Sequence, residues 1–413
     1  MADSTTKTCC KSKKFRVSST VWQIGIMMML MNISYVMVYS FSGLYLKKIL
    51  AVSIVWIGAI EGAAEMMSHM MKLVSGMLSD FFERRKSIMI VGYSCSVISK
   101  ILLALSTTFW PVFSARVAER LGNGIQASPR DAIVADVANG KDIGRAYGLK
   151  RSLAYAGSML GGVFGIIVME KTNNDYGMVF AIAAIPAIIA MSVLLFLVKE
   201  PRKRAEEIAV SSKYQFSFSN FKLLGRSFWL LMIINFVFML SRMDETFLIL
   251  RMSEGFGISD TFAPIVMIIF NIGTSLSSYP IGVAGDKCDR IKVLFFGMIV
   301  LILSDAIMLS AASRVVMGCG IFLWGIQLGS TQNVFVSLIA EKVPENLRGT
   351  GFGVYWFTNA LAIFAANSLA GFVGHCSSLR FIFLSSGSIA VLAIILLSIM
   401  IKHVSKSKVP TVS

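Results

Sequence analysis

Glu61, Glu65, His69 and Lys72 follow one another at intervals of four, four and three residues. On a helix, those intervals place all four side chains on one face. Arg116, Glu119 and Arg120 form a second set, with two arginines one turn apart. Arg242, Asp244 and Glu245 form a third. Carboxylates beside a histidine can take up and release protons, and the cations can meet an anionic group of a solute. Two acids one turn apart repel when both are charged, which favours a proton on one of them. No Gly-x-x-x-x-Gly-Lys-Ser/Thr phosphate loop, His-Glu-x-x-His helix or Gly-x-Ser-x-Gly elbow accompanies these residues. ATP drive and hydrolytic chemistry are therefore not expected, and the chain does not read as an enzyme. The six cysteines show no metal-ligand spacing, so neither a metal nor a cofactor is called for.

These charges sit in apolar surroundings. The chain is 55% hydrophobic and 15% charged, against about 25% charged in a soluble domain. Its apolar residues fall in blocks of roughly twenty, long enough to cross a bilayer as helices. Twelve spans are predicted: 21–46, 54–78, 87–106, 111–129, 151–169, 177–198, 228–250, 262–282, 293–313, 315–339, 351–373 and 379–402. An ionisable residue inside a span is costly and marks a pathway or a buried pair. Span 2 carries the Glu61 to Lys72 face, span 4 the arginines, and span 7 the third set. Lys100 and Asp305 add to the buried charge, giving six acids against five bases, close enough for internal pairing. Asn32, Tyr35, Asn235, Asn271, Gln327, Asn333 and Asn359 are further groups for bonding a solute or a neighbouring helix. The N-terminal basic residues and first apolar run mimic a secretory signal, but the run is too long for one and reads as a retained helix.

Lys and Arg gather on one side: the N-terminal tail, Arg84 to Lys86, the 130–151 loop, the 199–226 connection and the C-terminal tail. The positive-inside rule makes that side cytoplasmic, with both termini on it. The same distribution accounts for the net charge of +16 without nucleic acid. The expected organisation is a tail (1–16), a first six-helix bundle (17–198), a linker (199–226), a second bundle (227–402) and a final tail (403–413). The two halves repeat. Gly76, Asp80, Arg84 and Lys86 recur as Gly282, Asp286, Arg290 and Lys292, each 206 residues later. Two parallel repeats in a membrane protein imply a substrate site between them. Gly76 and Gly282 are expected where helices approach closely. The two aspartates, with Arg84, Arg85, Lys86 and Arg290, are expected to latch one conformation of the moving halves.

Gly76-Met-Leu-Ser-Asp80-Phe-Phe-Glu-Arg84-Arg85-Lys86 resembles the cytoplasmic signature of the major facilitator superfamily, and Gly282 to Arg290 its second-half counterpart. Glu61-Gly62-Ala-Ala-Glu65 with Lys72, the segment from Arg116 to Pro129-Arg130-Asp131-Ala132, and Leu347-Arg348-Gly349-Thr350 are similar to one bacterial branch of that superfamily. The resemblance implies an all-α integral membrane fold of twelve transmembrane helices in two six-helix bundles, working by rocking around a central site. It also implies a bacterial inner (cytoplasmic) membrane. Asn123 stands where the branch has lysine, and Ala154 where it has aspartate, which puts the coupling mechanism in question. Gly157, Gly161 and Gly165 resemble the glycine-rich fifth helix of the family's antiporters, although plain helix packing explains the spacing equally.

The expected function is secondary active transport of a small polar or charged solute. Protons are the expected coupling ion, with Glu61 and Glu65 as leading carriers and His69, Lys72, Arg116, Arg120, Arg242 and Asp244 as partners. The expected partners are the solute, protons and the lipid bilayer, and a monomer suffices. The competing expectations are an uncoupled uniporter and a receptor or assembly factor that keeps the fold without transport. Buried pairing that merely fixes helix register is the structural alternative for the charges.

Overall fold

The structure is a computed structural model that describes residues 18–82, 84–137, 143–198, 224–287, 289–343 and 348–406. Thirteen α-helices occur among the described residues. The first six are α1 (Ser19–Leu44), α2 (Ile54–Phe82), α3 (Arg85–Leu105), α4 (Phe109–Val137), α5 (Ile143–Lys171) and α6 (Tyr176–Phe196). The others are α7 (Arg226–Leu240), α8 (Thr246–Phe256), α9 (Pro264–Lys287), α10 (Arg290–Ser310), α11 (Arg314–Lys342), α12 (Arg348–Cys376) and α13 (Leu379–Lys406). A wider π turn, Tyr45–Ile49, extends α1. By length and composition, eight of the helices are apolar enough to cross a membrane. Each of the twelve predicted spans overlaps a helix. α2 and α4, 29 residues each, fall short of the apolar criterion because they carry the internal charges.

The sequence repeat is also a structural one. α10 begins 205 residues after α3 (290 against 85), and α11 begins 205 residues after α4 (314 against 109). The predicted single span 228–250 is the exception, because the structure breaks it into α7 and α8. Four of the five residues at the break, Ser241, Arg242, Asp244 and Glu245, are polar. Side chains satisfy the backbone groups that the break frees, as a membrane interior requires. Ser386 Oγ donates to Ser241 O at 2.6 Å, Asp244 N donates to Asn367 Oδ1 at 2.7 Å, and Thr246 N donates to Asp244 Oδ1 at 3.0 Å.

Polarity is inverted relative to a soluble protein. Leu105, Phe196 and Val315 are each more than three-quarters exposed, while Arg116, Glu119, Lys100 and Glu61 are fully buried. An apolar exterior of this kind is a lipid surface. Exposed Trp22 and Trp229 start α1 and α7 at the face that carries the chain ends, here the terminal face. Exposed Trp56 and Trp110 start α2 and α4 at the opposite face. Two aromatic belts thus mark the two bilayer surfaces.

The halves meet along α2 with α12 and along α5 with α9. The approach of α2 to α12 is close: a Cβ on Gly58 would lie 2.3 Å from Asn367 O. Polar bonds between the halves gather at the opposite face. There Lys47 pairs with Glu254 and Lys48 with Asp260, and Tyr176 Oη donates to Asp260 Oδ2 at 2.7 Å. Gly157 and Gly161 of α5 serve packing within the first half, since Cβ atoms there would sit 2.2 Å from Met29 O and 2.6 Å from Ile33 O of α1, whereas Gly162 admits α9 of the second half, where a Cβ would lie 2.7 Å from Ile268 Cγ1.

Candidate functional site

α2 and α4 bring their charges face to face, and two layers result. In the inner layer, Arg116 Nη2 lies 2.6 Å and 2.7 Å from the two Glu61 oxygens. Its Nη1 lies 3.1 Å from Glu119, whose other oxygen is 2.5 Å from Lys100 Nζ. This tetrad of two acids and two bases is fully buried and internally neutral. None of its members lines either of the two cavities between the halves described below.

The outer layer faces a cavity of about 320 Å³ between the halves. Arg120 Nη1 lies 3.0 Å from Glu65 Oε2, and its Nη2 lies 3.7 Å from Asp244 Oδ2 across the divide. Tyr39 Oη donates to Asp244 Oδ1 and, at 3.0 Å, to Glu245 Oε2. Tyr35 and Tyr39 stack 5.2 Å apart on α1 and offer their rings to Arg120, whose guanidinium carbon lies 5.3 Å from each. Arg120 is therefore held by an acid from each half and by two aromatic faces. His69 Nδ1 lies 3.0 Å from Glu65 O and 3.7 Å from the Glu65 carboxylate.

Lys72 and Arg242 differ from the other cations of the site. Lys72 Nζ sits 5.2 Å from the Trp356 ring, and the Arg242 guanidinium carbon sits 5.9 Å from the Trp324 ring. Both also line a second cavity, of about 420 Å³, nearer the terminal face. Its other charged lining residues are Arg130, Arg151 and the acid Asp131. Asp131 is shared by Lys150 Nζ at 2.5 Å and Arg130 Nε at 3.6 Å. The six tryptophans thus fall into two groups, four that mark the bilayer surfaces and two that support cations at the cavities.

The structure brings Glu65, His69, Lys72, Arg120, Arg242 and Asp244 to the central cavity. It places Glu61 and Arg116 behind the cavity in the neutral tetrad. Glu245, of the third charged set, is half-buried and lines the same cavity. Tyr39 went unnoticed in the sequence, although it lies one turn from Tyr35. Among the other polar groups, Asn32, Tyr35 and Asn271 line the cavity. Asn235 Nδ2 donates instead to Asn359 Oδ1 at 2.6 Å, and Gln327 Nε2 to Thr331 Oγ1 at 3.0 Å.

The repeated motif is described only in part. The side chains of Asp80, Gly282, Asp286 and Asn333 lie outside the described residues. Arg84 is exposed, and Arg290 starts α10. Arg85 pairs with Asp136 of α4, and Lys86 Nζ donates to Leu195 O at 2.8 Å. Both contacts stay within the first half. Gly76 is not a point of close approach: a Cβ there would meet Ser128 at 3.6 Å, an ordinary contact. α2 and α4 crowd elsewhere, at Gly124, where a Cβ would lie 2.4 Å from Ser68 O.

The sequence model of the Major Facilitator Superfamily matches residues 24–248 and 234–412. An uncharacterised MFS-type transporter of Methanocaldococcus jannaschii is 27% identical over 329 residues, 78% of this chain and 80% of that protein. An uncharacterised protein of Mycobacterium tuberculosis is 24% identical over 336 residues, 80% of each chain. Among solved structures, a nucleoside transporter superimposes with TM-score 0.76 at 15% identity, covering 92% of this chain and 100% of that one. A D-xylose-proton symporter gives 0.70 at 14% identity, covering 91% and 96%. At these identities the likeness establishes the fold.

Proposed function

The chain belongs to the Major Facilitator Superfamily and is a multi-pass membrane transporter rather than an enzyme; from that premise we propose that it carries a small polar or charged solute by alternating access, coupled to protons. The observation that carries this reading is the central cavity, which charges from both halves line and link through Arg120. Solute and proton reach that cavity from both faces in turn only if the two halves move. The inter-half bonds at the opposite face support a conformation closed on that side. The second cavity supports a route toward the terminal face, which the distribution of Lys and Arg makes cytoplasmic. The halves, residues 17–198 and 227–402, would rock as units joined by the 199–226 linker, in a bacterial cytoplasmic membrane.

Glu65 is the leading proton carrier. It borders the cavity, and its one strong partner, Arg120, also binds Asp244 of the other half. A proton on Glu65 removes the nearer of the two first-half acids on Arg120, leaving Glu61 at 4.0 Å and Asp244 at 3.7 Å, so protonation and the position of the halves are linked. Glu245 is a second carrier, because Tyr39 bonds it and no cation lies within 4.0 Å of it among the described residues. Glu61 is the weaker choice, since two oxygens clamped by Arg116 in a sealed layer have no path for a proton.

The test is untargeted solute profiling of cells and medium, comparing wild type with Glu65→Gln at equal membrane levels. A solute whose distribution shifts in wild type but not in the variant supports the reading. A shift preserved in the variant points to uncoupled transport, and no shift in any solute class contradicts transport itself.

A further inference from the structure

Lys72 and Arg242 are the two cavity-lining cations that rest on tryptophan faces, at 5.2 Å and 5.9 Å. Among the described residues, no carboxylate lies within 4.0 Å of either one. Arg242 Nη1 meets Met239 Sδ at 3.9 Å, and its Nε has no hydrogen-bond partner among the described residues. An indole face attracts a cation but does not neutralise it. Every base of the inner tetrad, by contrast, touches an acid. A membrane interior makes a cation without a contacting acid costly, and here two such cations, with Glu65, Asp131 and Glu245 nearby but beyond ion-pair distance, share one place at the junction of the two cavities. They come from different halves, Lys72 from α2 and Arg242 from the break between α7 and α8.

We propose that the transported solute is an organic anion, whose carboxylate or phosphate group is held between Lys72 and Arg242. The proposal rests on the transport reading above and names its substrate class. Both residue types suit an anion. A guanidinium offers a planar fork to two anionic oxygens, and an ammonium adds a compact charge with rotatable donors. The second cavity has the matching character, since Asp131 is the one acid beside four Lys and Arg side chains in its described lining. Lined this way, the route gathers anions ahead of the junction. An anion held by one cation from each half also draws the halves together, so the solute itself favours closure of the terminal side.

The experiment uses the purified full chain in lipid nanodiscs, with succinate as the carboxylate probe, glycerol phosphate as the phosphate probe and choline as the cationic control. Unfolding temperature is followed against probe concentration in wild type, Lys72→Gln, Arg242→Gln, Lys72→Arg and Lys171→Gln. Lys171 is exposed at the end of α5 and controls for loss of a charge elsewhere. The expected result is a saturable rise with at least one of the two anions and none with choline. Binding weakens about tenfold or more in each Gln variant at the junction, and it is kept in Lys72→Arg and Lys171→Gln. The probe that binds distinguishes carboxylate from phosphate. No saturable rise with either anion, or binding as tight as wild type in both Lys72→Gln and Arg242→Gln, overturns the proposal. Flux assays on the same proteins in proteoliposomes separate the two readings. Anion binding without flux of any solute sinks transport and leaves the site standing. Flux of a neutral or cationic solute that neither anion inhibits sinks the site and leaves transport standing.

Discussion

Glu61 and Glu65 are one turn apart on the same helix face, yet their surroundings assign them opposite roles. Glu61 shares both oxygens with Arg116 and has no exposed surface, whereas Glu65 borders the cavity and shares Arg120 with the second half. Arg116→Ala would leave buried Glu61 with only Arg120, 4.0 Å away, and Glu119 with Lys100 alone. Breaking a buried pair in this way costs about 3–5 kcal/mol. The variant is expected to lose most of its folded, monodisperse population in detergent, while Glu65→Gln keeps wild-type stability. A wild-type unfolding temperature in Arg116→Ala would contradict the structural role. The spacing of these residues was readable from the sequence, because a helix face follows from intervals of three and four. The division into a sealed layer and a cavity layer was not. It depends on which neighbour faces each turn, and Tyr35, Tyr39 and Arg120 come from helices far apart in the chain. For Lys72 and Arg242, spacing likewise could not reveal indole faces in place of carboxylates.

At the scale of the element, the break between α7 and α8 departs most from the repeat. Its first-half counterpart, α1 with its π turn, runs unbroken from Ser19 to Ile49. The signal was present as four polar residues among five. An apolar count over twenty residues averages such a cluster away, and the partners that satisfy the freed backbone, Ser386 and Asn367, lie more than a hundred residues downstream. The glycines also divide once neighbours are known. Gly76→Ala meets only an ordinary contact and is expected to change stability by no more than about 0.5 kcal/mol. Gly58→Val would thrust into Asn367 O and is expected to cost about 1–3 kcal/mol, because α2 and α12 cannot close. Unfolding temperatures check both, and a tolerant Gly58→Val would mean that this helix contact is not needed. The motif glycine looked like a packing residue because it recurs, but recurrence at a fixed offset says nothing about the distance to the next helix.

For the whole molecule, the duplicated order of helices and the inverted polarity were the features the sequence displayed most clearly. Both follow from long-range averages, namely apolar block length and a constant offset, so no single contact needs to be known. What those averages miss is which side is closed. In this structure, Lys47, Lys48 and Tyr176 of the first half hold Glu254 and Asp260 of the second at the opposite face. If the halves rock, those bonds must break once in every cycle. The most direct test needs no knowledge of the solute. A cysteine replaces Ala154, which lines the central cavity, in a protein whose six native cysteines have been exchanged. A membrane-impermeant maleimide is then applied from each side of the membrane in turn. Alternating access predicts labelling from both sides, and a disulfide between Lys48→Cys and Asp260→Cys abolishes labelling from the opposite face alone. Labelling from one side only, with or without that cross-link, would contradict the account.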